Sequence, residues 1–367
     1  MSDEIEKGTA PGRDVLPAPG PHPKWHPTGL QVALSLGSLA LAALLLAVFL
    51  PRATGAGWGE SIQALFRLSW SEVALMTLIW MIGLWIYTYV YTATLPGLSH
   101  MQALSLNLTG SLVSNLLPFG GAAGVANTYA LTFSWGFSGV ATSTMILVSG
   151  LANVLIRLLV PLVGVVALWV SGYPMSGLGE GIALTTLGSL AIASTVLIAV
   201  LTSQRVASTV GSAGDWLLRG LAKLLRRPRF HRCLHDDAIE LERSSRHILA
   251  RRWHAIAFGM IGYYASETIL FGLALHSLGS SLPWAQIIAA FALSRVLTSV
   301  VVTPSGVGIS EAGTAGALVL FGVAHPVAAA AVLILSFFTY MIEIPAGVAG
   351  WGIIVVGRRH WRARATT

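Results

Sequence analysis

Five ionisable side chains, Arg157, Glu267, Arg295, Glu311 and Glu343, stand inside long apolar runs of this 367-residue chain. A charge at the centre of a bilayer costs at least about 2.5–3.5 kcal/mol on insertion scales, so each should face a partner or a polar cavity. The guanidinium forks of Arg157 and Arg295 match the oxygens of a phosphate. The other reading of each is neutralisation by a glutamate that only ties helices together. Glu311 follows the turn "GVGIS" and opens a helical segment, where it either complements the helix dipole, worth up to about 1 kcal/mol, or touches a substrate. Glu267 in "GYYASETIL" fits a group that couples transport to a proton gradient, and equally a buried structural carboxyl. Asn115 and Asn127 flank a glycine-rich break and join the five as candidate binding residues.

That break is "NLLPFGGAAG", with Pro118, Gly120, Gly121 and Gly124; a second is "TPSGVGISEAG", with Pro304, Ser305, Gly306, Gly308 and Ser310. Proline removes a backbone donor and glycine weakens a helix, so both stretches should interrupt helices within apolar surroundings. Irregular backbone at membrane depth is tolerated only where it is buried in protein or lines a polar cavity. Half-helix N-termini at such a break offer free N–H groups and positive dipole ends, which suit a phosphate.

The elements that must position these residues are membrane helices. The chain is 54% hydrophobic and 10% charged, against roughly 25% charged in soluble proteins. Six runs read as full crossings, at 30–50, 73–95, 139–170, 182–201, 255–275 and 327–356. Two further stretches, about 101–134 and 285–322, hold the broken motifs and read as re-entrant hairpins. The first run is too long for a signal-peptide core and reads as a retained span. The linker 202–253 carries eleven Lys/Arg against five acids, and the tail after Val356 carries four Arg. Both are expected on the cytoplasmic side of the plasma (inner) membrane, and parity then puts the N-terminus there too. Arg52 and Arg67 fall on the outer side of this scheme and weigh against it. Residues 226–252 read as an amphipathic helix on anionic head groups, and residues 1–29 as a disordered tail.

The net charge of +7 gathers at membrane edges, so nucleic acid is not an expected partner. The single cysteine, Cys233, excludes an internal disulfide and a cysteine metal cluster. His231 and His235 lie at helical spacing and read as a solvated face, not zinc ligands. The aromatic run "WMIGLWIYTYVY" at 80–91 reads as interface anchors and packing, and "NLT" at 107–109 lies in an apolar stretch, unsuited to glycosylation. No cofactor and no metal is expected.

Shifting the sequence by 186 places Pro118 on Pro304, Gly120 on Gly306, "WGF" at 135–137 on "FGV" at 321–323, and Arg157 on Glu343. Each half reads span, span, broken hairpin, long span. An odd number of crossings per unit turns the second copy upside down, which is an inverted-topology repeat. The expected architecture is thus an all-α polytopic membrane protein with six spans and two hairpins. Repeat 1 covers 30–170, repeat 2 covers 171–357 including the 202–253 linker, and a basic tail covers 358–367. Arg157 and Glu343, equivalent in the two halves, are expected to pair directly or through one water.

At "SNLLPFGGAAG" followed by "WGFS", at "LIRLLVPL", and at "TPSGVGISEAG" followed by "LFGV", the chain resembles the lysylphosphatidylglycerol synthase transmembrane-domain family, from about residue 30 to 357. That family forms the flippase half of bacterial multiple peptide resistance factors and includes stand-alone members. The second motif matches its Pro-Gly-x-Gly-x-x-Glu pattern at Pro304, Gly306, Gly308 and Glu311. Where many relatives carry Glu and Arg after the first glycines, this chain reads "GVANTY", with Asn127 the nearest polar substitute. The resemblance implies movement of a lipid, with an aminoacylated phospholipid or a polyprenyl-linked lipid as candidates, and a separately encoded synthase or glycosyltransferase as a candidate partner. Two other readings stay open: a non-transporting anchor of a lipid-modifying synthase, and a membrane enzyme acting on a lipid phosphate. No "HxxH", "DxD" or Ser-His pairing lies on the broken segments, and the chain ends about ten residues past its last span, so a non-enzyme is expected.

Overall fold

The computed structural model describes residues 57–116, 120–174, 188, 234–298 and 308–361, and among these residues every regular element is helical. The expected spans 30–50 and 182–201, the tail 1–29, linker residues 202–233 and residues 362–367 lie outside the described residues. So do Pro118, Pro304, Ser305 and Gly306, the centres of both breaks.

A short helix α1 (Trp58–Leu65) precedes α2 (Trp70–Thr94). Ser69 starts α2 with a capping box: its N–H donates to Glu72 Oε2 at 2.8 Å, and its Oγ accepts from the Glu72 N–H at 3.3 Å. The first hairpin is α3 (His100–Leu116) and α4 (Gly120–Ser134). Added to Gly120, a Cβ would strike the Ser114 carbonyl, and one on Gly124 would strike the Ser114 hydroxyl. With glycine at both places α4 folds back tightly along α3, as a break at "PFGG" requires. The long α5 (Gly139–Val170) follows, capped by Ser138, whose Oγ accepts from the Ala141 N–H at 3.2 Å.

The second half repeats this order. It comprises α6 (Leu234–Ser277), α7 (Trp284–Leu297), α8 (Ile309–Leu320), α9 (His325–Ser336), a π-helical turn (Phe337–Met341) and α10 (Glu343–Trp361). The shift of 186 lays α2 on α6, α3 on α7, α4 on α8, and α5 on α9, the π turn and α10. Even the terminators correspond: α4 ends at Gly136 (φ 92) and α8 at Gly322 (φ 91). Both close by the same six-residue bond, Phe137 N–H to Thr132 O at 3.1 Å and Val323 N–H to Leu318 O at 3.0 Å.

Packing follows the same correspondence. Gly83 lies against Ser266, Gly262 against Ile86 and Gly259 against Val90, so α2 and α6 cross antiparallel at close range. Helix α5 packs on α7, with Gly164 against Ala292, and α10 packs on α3, with Gly350 against Leu108. Exchanging the two halves turns each of these contacts into the other. The densest core lies in the second half, where Phe271, Leu275, Ile287, Phe291 and Leu318 are fully buried.

Among the described residues four stretches are long and apolar enough to cross a membrane: Trp70–Thr94, Gly139–Val170, Ile248–Ser277 and His325–Gly357. They expose apolar side chains such as Leu78, Val163 and Val348, as lipid contact requires. Helices α7 and α8, at 14 and 12 residues, reach only about 21 and 18 Å at 1.5 Å per residue, short of a core of about 30 Å. Residues from Leu234 onward form one 44-residue helix that runs into the span expected at 255–275. The span expected at 327–356 corresponds to His325–Gly357 and contains the π turn, where the Ile342 N–H bonds Phe337 O at 3.0 Å. Pro345, one turn on, lacks the N–H that would have bonded the Met341 carbonyl.

Candidate functional site

Glu311 is the most enclosed of the five ionisable residues, at 2% exposure. Gly308, at φ 92, is the N-cap of α8 and donates its N–H to Glu311 Oε2 at 2.6 Å. The hydroxyl of Ser310 donates to the same oxygen at 2.8 Å, and that of Ser336, from α9, donates to Oε1 at 2.9 Å. The carboxylate thus closes the helix N-terminus from within and staples α8 to α9, which is the dipole role the sequence allowed. Glycine at 308 has a conformational reason, because its φ lies in the left-handed region.

Arg295 sits in the last turn of α7, where a cation complements the helix C-terminus. Its Nη1 lies 3.5 Å from Glu267 Oε2 on α6, and its guanidinium lies 4.7 Å from the centroid of the Phe291 ring. Glu267 Oε1 accepts the hydroxyl of Tyr263 at 3.0 Å. Both charged side chains are about nine-tenths buried. Tyr340, presented by the π turn, lies within electrostatic reach of Arg295, Glu311, Glu267 and Arg157. Two small voids flank Leu335 and Thr339: one beside Tyr263 and Glu267, the other beside Arg295, Glu311, Ser336 and Tyr340. Each has room for about one water.

Arg157 is exposed on α5 and donates from Nε to Asn153 Oδ1 at 3.1 Å. Asn153 Oδ1 also accepts the hydroxyl of Tyr264 from α6 at 3.3 Å. Glu343 opens α10 and accepts Asn115 Nδ2 from α3 at 3.0 Å. Arg157 and Glu343 form no direct ion pair: each takes an asparagine, Arg157 on its own helix and Glu343 across to α3. Asn127 donates to Thr109 Oγ1 at 3.1 Å, joining the two arms of the first hairpin. Gly121 has open space where a side chain would stand.

Of the residues picked from the sequence, Glu267, Arg295 and Glu311 come together, Asn115 and Glu343 form a second contact, Arg157 lines a third face, and Asn127 is a hairpin tie. The sequence reading passed over Asn153, Tyr263, Tyr264, Ser336 and Tyr340. Asn153 stands four residues before Arg157 and Tyr263 four before Glu267, a spacing that puts each on its partner's helix face. Ser336 and Tyr340 had no such signal, because they meet the site only through the fold. Among the described residues no group of three His, Cys, Asp or Glu could hold a metal ion.

A family model described as the lysylphosphatidylglycerol synthase TM region matches residues 35–347, which include all these side chains. No curated protein matches the chain.

Proposed function

The chain belongs to the lysylphosphatidylglycerol synthase TM region family, and from that premise we propose that it is a lipid translocase and not an enzyme. Its substrate on this reading is a phospholipid or polyprenyl-linked lipid whose charged head group crosses a bacterial inner membrane between two inverted halves. The observation that carries the reading is the charged set from α5, α6, α7 and α8, Arg157, Glu267, Arg295 and Glu311, gathered about Tyr340 within apolar helices. A purely apolar scaffold gains nothing from charges there, and each costs insertion energy unless it serves a partner or a passing head group.

The antiparallel α2–α6 crossing and the exchanged α5–α7 and α3–α10 contacts support an inverted repeat. On that architecture the Arg-rich linker and both tails face the cytoplasm. Arg157 is the phosphate ligand on this reading, since it is exposed on the apolar helix α5 and its guanidinium presents a fork of donors. Arg295 belongs to the gate, locked to Glu267 in a closed state whose voids are too small for a head group. The π turn, which carries Tyr340 and Thr339 into those voids, is the place where the long second-half span bends to open them.

Purified protein in liposomes with fluorescent phospholipids tests the assignment. Movement of label between leaflets is the expected result. Chemical turnover of the lipid would make it an enzyme, and neither would leave a membrane anchor or partner of a synthase.

A further inference from the structure

Among the described residues three carboxyls reach the interior of this membrane protein, and two are compensated: Glu267 by Arg295 and Tyr263, Glu311 by a helix N-terminus and two serines. Glu343 is different. It is partly buried at the start of α10, and its hydrogen bond comes from the neutral amide of Asn115. On α3, which packs against it, Ser111 hydrogen-bonds it as well; from α6 come Glu267, a like charge, and Tyr263. Along α10 the first cation in sequence is Arg358. Arg157, its counterpart in the other half, is hydrogen-bonded to Asn153 and forms no ion pair with it. Residues 117–119 and 299–307, at the two breaks in the sequence, include no ionisable residue.

A carboxylate held out of water without a cation is costly, and the ordinary remedy is a proton. An asparagine amide suits both states of such a group. It donates from Nδ2 to the carboxyl, and its Oδ1 can accept the acid proton in a paired amide–acid contact. Asn115 is carried by α3, which packs on α10, so a parting of α3 from α10 would withdraw the amide and bring Glu343 to water. We infer that Glu343 is a proton-exchange site: it holds a proton while Asn115 covers it and releases it to water when α3 and α10 part. The coupling of that exchange to lipid movement rests on the translocase reading; the proton site itself does not.

Two measurements on the full chain test it. Infrared difference spectra of wild type and Glu343→Gln in lipid nanodiscs at neutral pH should show a carboxylic-acid carbonyl stretch in the wild type that the variant lacks. Glutamine keeps the shape of the protonated acid, so the variant is expected to unfold at the wild-type temperature. Identical spectra would overturn the proton site. In liposomes holding a fluorescent phospholipid and an internal pH dye, wild-type flipping should move protons and vary by up to about tenfold per pH unit, the limit for one titrating group. The Glu343→Gln variant should flip independently of pH and carry no protons. Equal, pH-independent flipping in both proteins overturns the coupling and leaves the translocase reading standing. Absence of flipping in both overturns that reading and the coupling with it, while the infrared band still decides the proton site.

Discussion

Arg295→Ala would leave the Glu267 carboxylate buried with the Tyr263 hydroxyl, and Glu267→Ala would take from Arg295 its counter-charge. Removing one member of a buried pair typically costs about 3–5 kcal/mol, because the other charge is left uncompensated. Each single variant is expected to lose stability on that scale in thermal unfolding, and the double variant to recover part of it. Fully additive losses would mean that the two do not interact. The existence of buried charges was legible from the sequence, because an ionisable residue in an apolar run has few places to go. Their partners were less so. Arg157 and Glu343 occupy equivalent positions, but equivalent residues meet only when they lie near the axis relating them. Here Glu267 lies next to the close α2–α6 contact of Gly83 with Ser266, while Arg157 and Glu343 reach separate asparagines.

At the scale of elements, glycines at the breaks divide by what surrounds them. Gly308 holds φ 92, so Gly308→Ala places a Cβ in the left-handed region, at a cost of about 1–2 kcal/mol. Gly121 lies in α4 with open space around it, so Gly121→Ala should be neutral or stabilising by up to about 1 kcal/mol. Unfolding of the two variants side by side checks the contrast; equal losses would contradict it. Half-helix bounds were readable because proline and glycine act locally on the backbone. The π turn was not, since "FFTYM" has no local signature and its extra residue is fitted by packing among α9, α10 and the Glu311 site. The 44-residue α6 was missed although residues 234–258 contain neither glycine nor proline. The charge run was read as a boundary, whereas a helix leaving a membrane simply changes from apolar to charged without stopping.

For the whole molecule, the exchanged contacts give a direct check of the two-half architecture. In a Cys233→Ser background, Gly164→Cys with Ala292→Cys and Gly350→Cys with Leu108→Cys should each form a cross-link, because both pairs are in close contact. Linking of only one pair would break the equivalence of the halves. Cysteines placed in the 202–233 segment should resist an impermeant reagent in intact cells, if the Arg-rich linker is cytoplasmic. The proposed repeat rests on sequence signals, two proline-glycine breaks and two glycine terminators, that recur at one shift. The most direct measurement of the central claim is leaflet exchange of a fluorescent anionic phospholipid in proteoliposomes, read by quenching of the outer leaflet. Wild-type protein should render label from the inner leaflet quenchable, and Arg157→Ala should slow this at least about tenfold, the equivalent of losing about 1.4 kcal/mol at a phosphate contact. A wild-type protein whose inner-leaflet label stays protected, as in empty liposomes, would contradict the account.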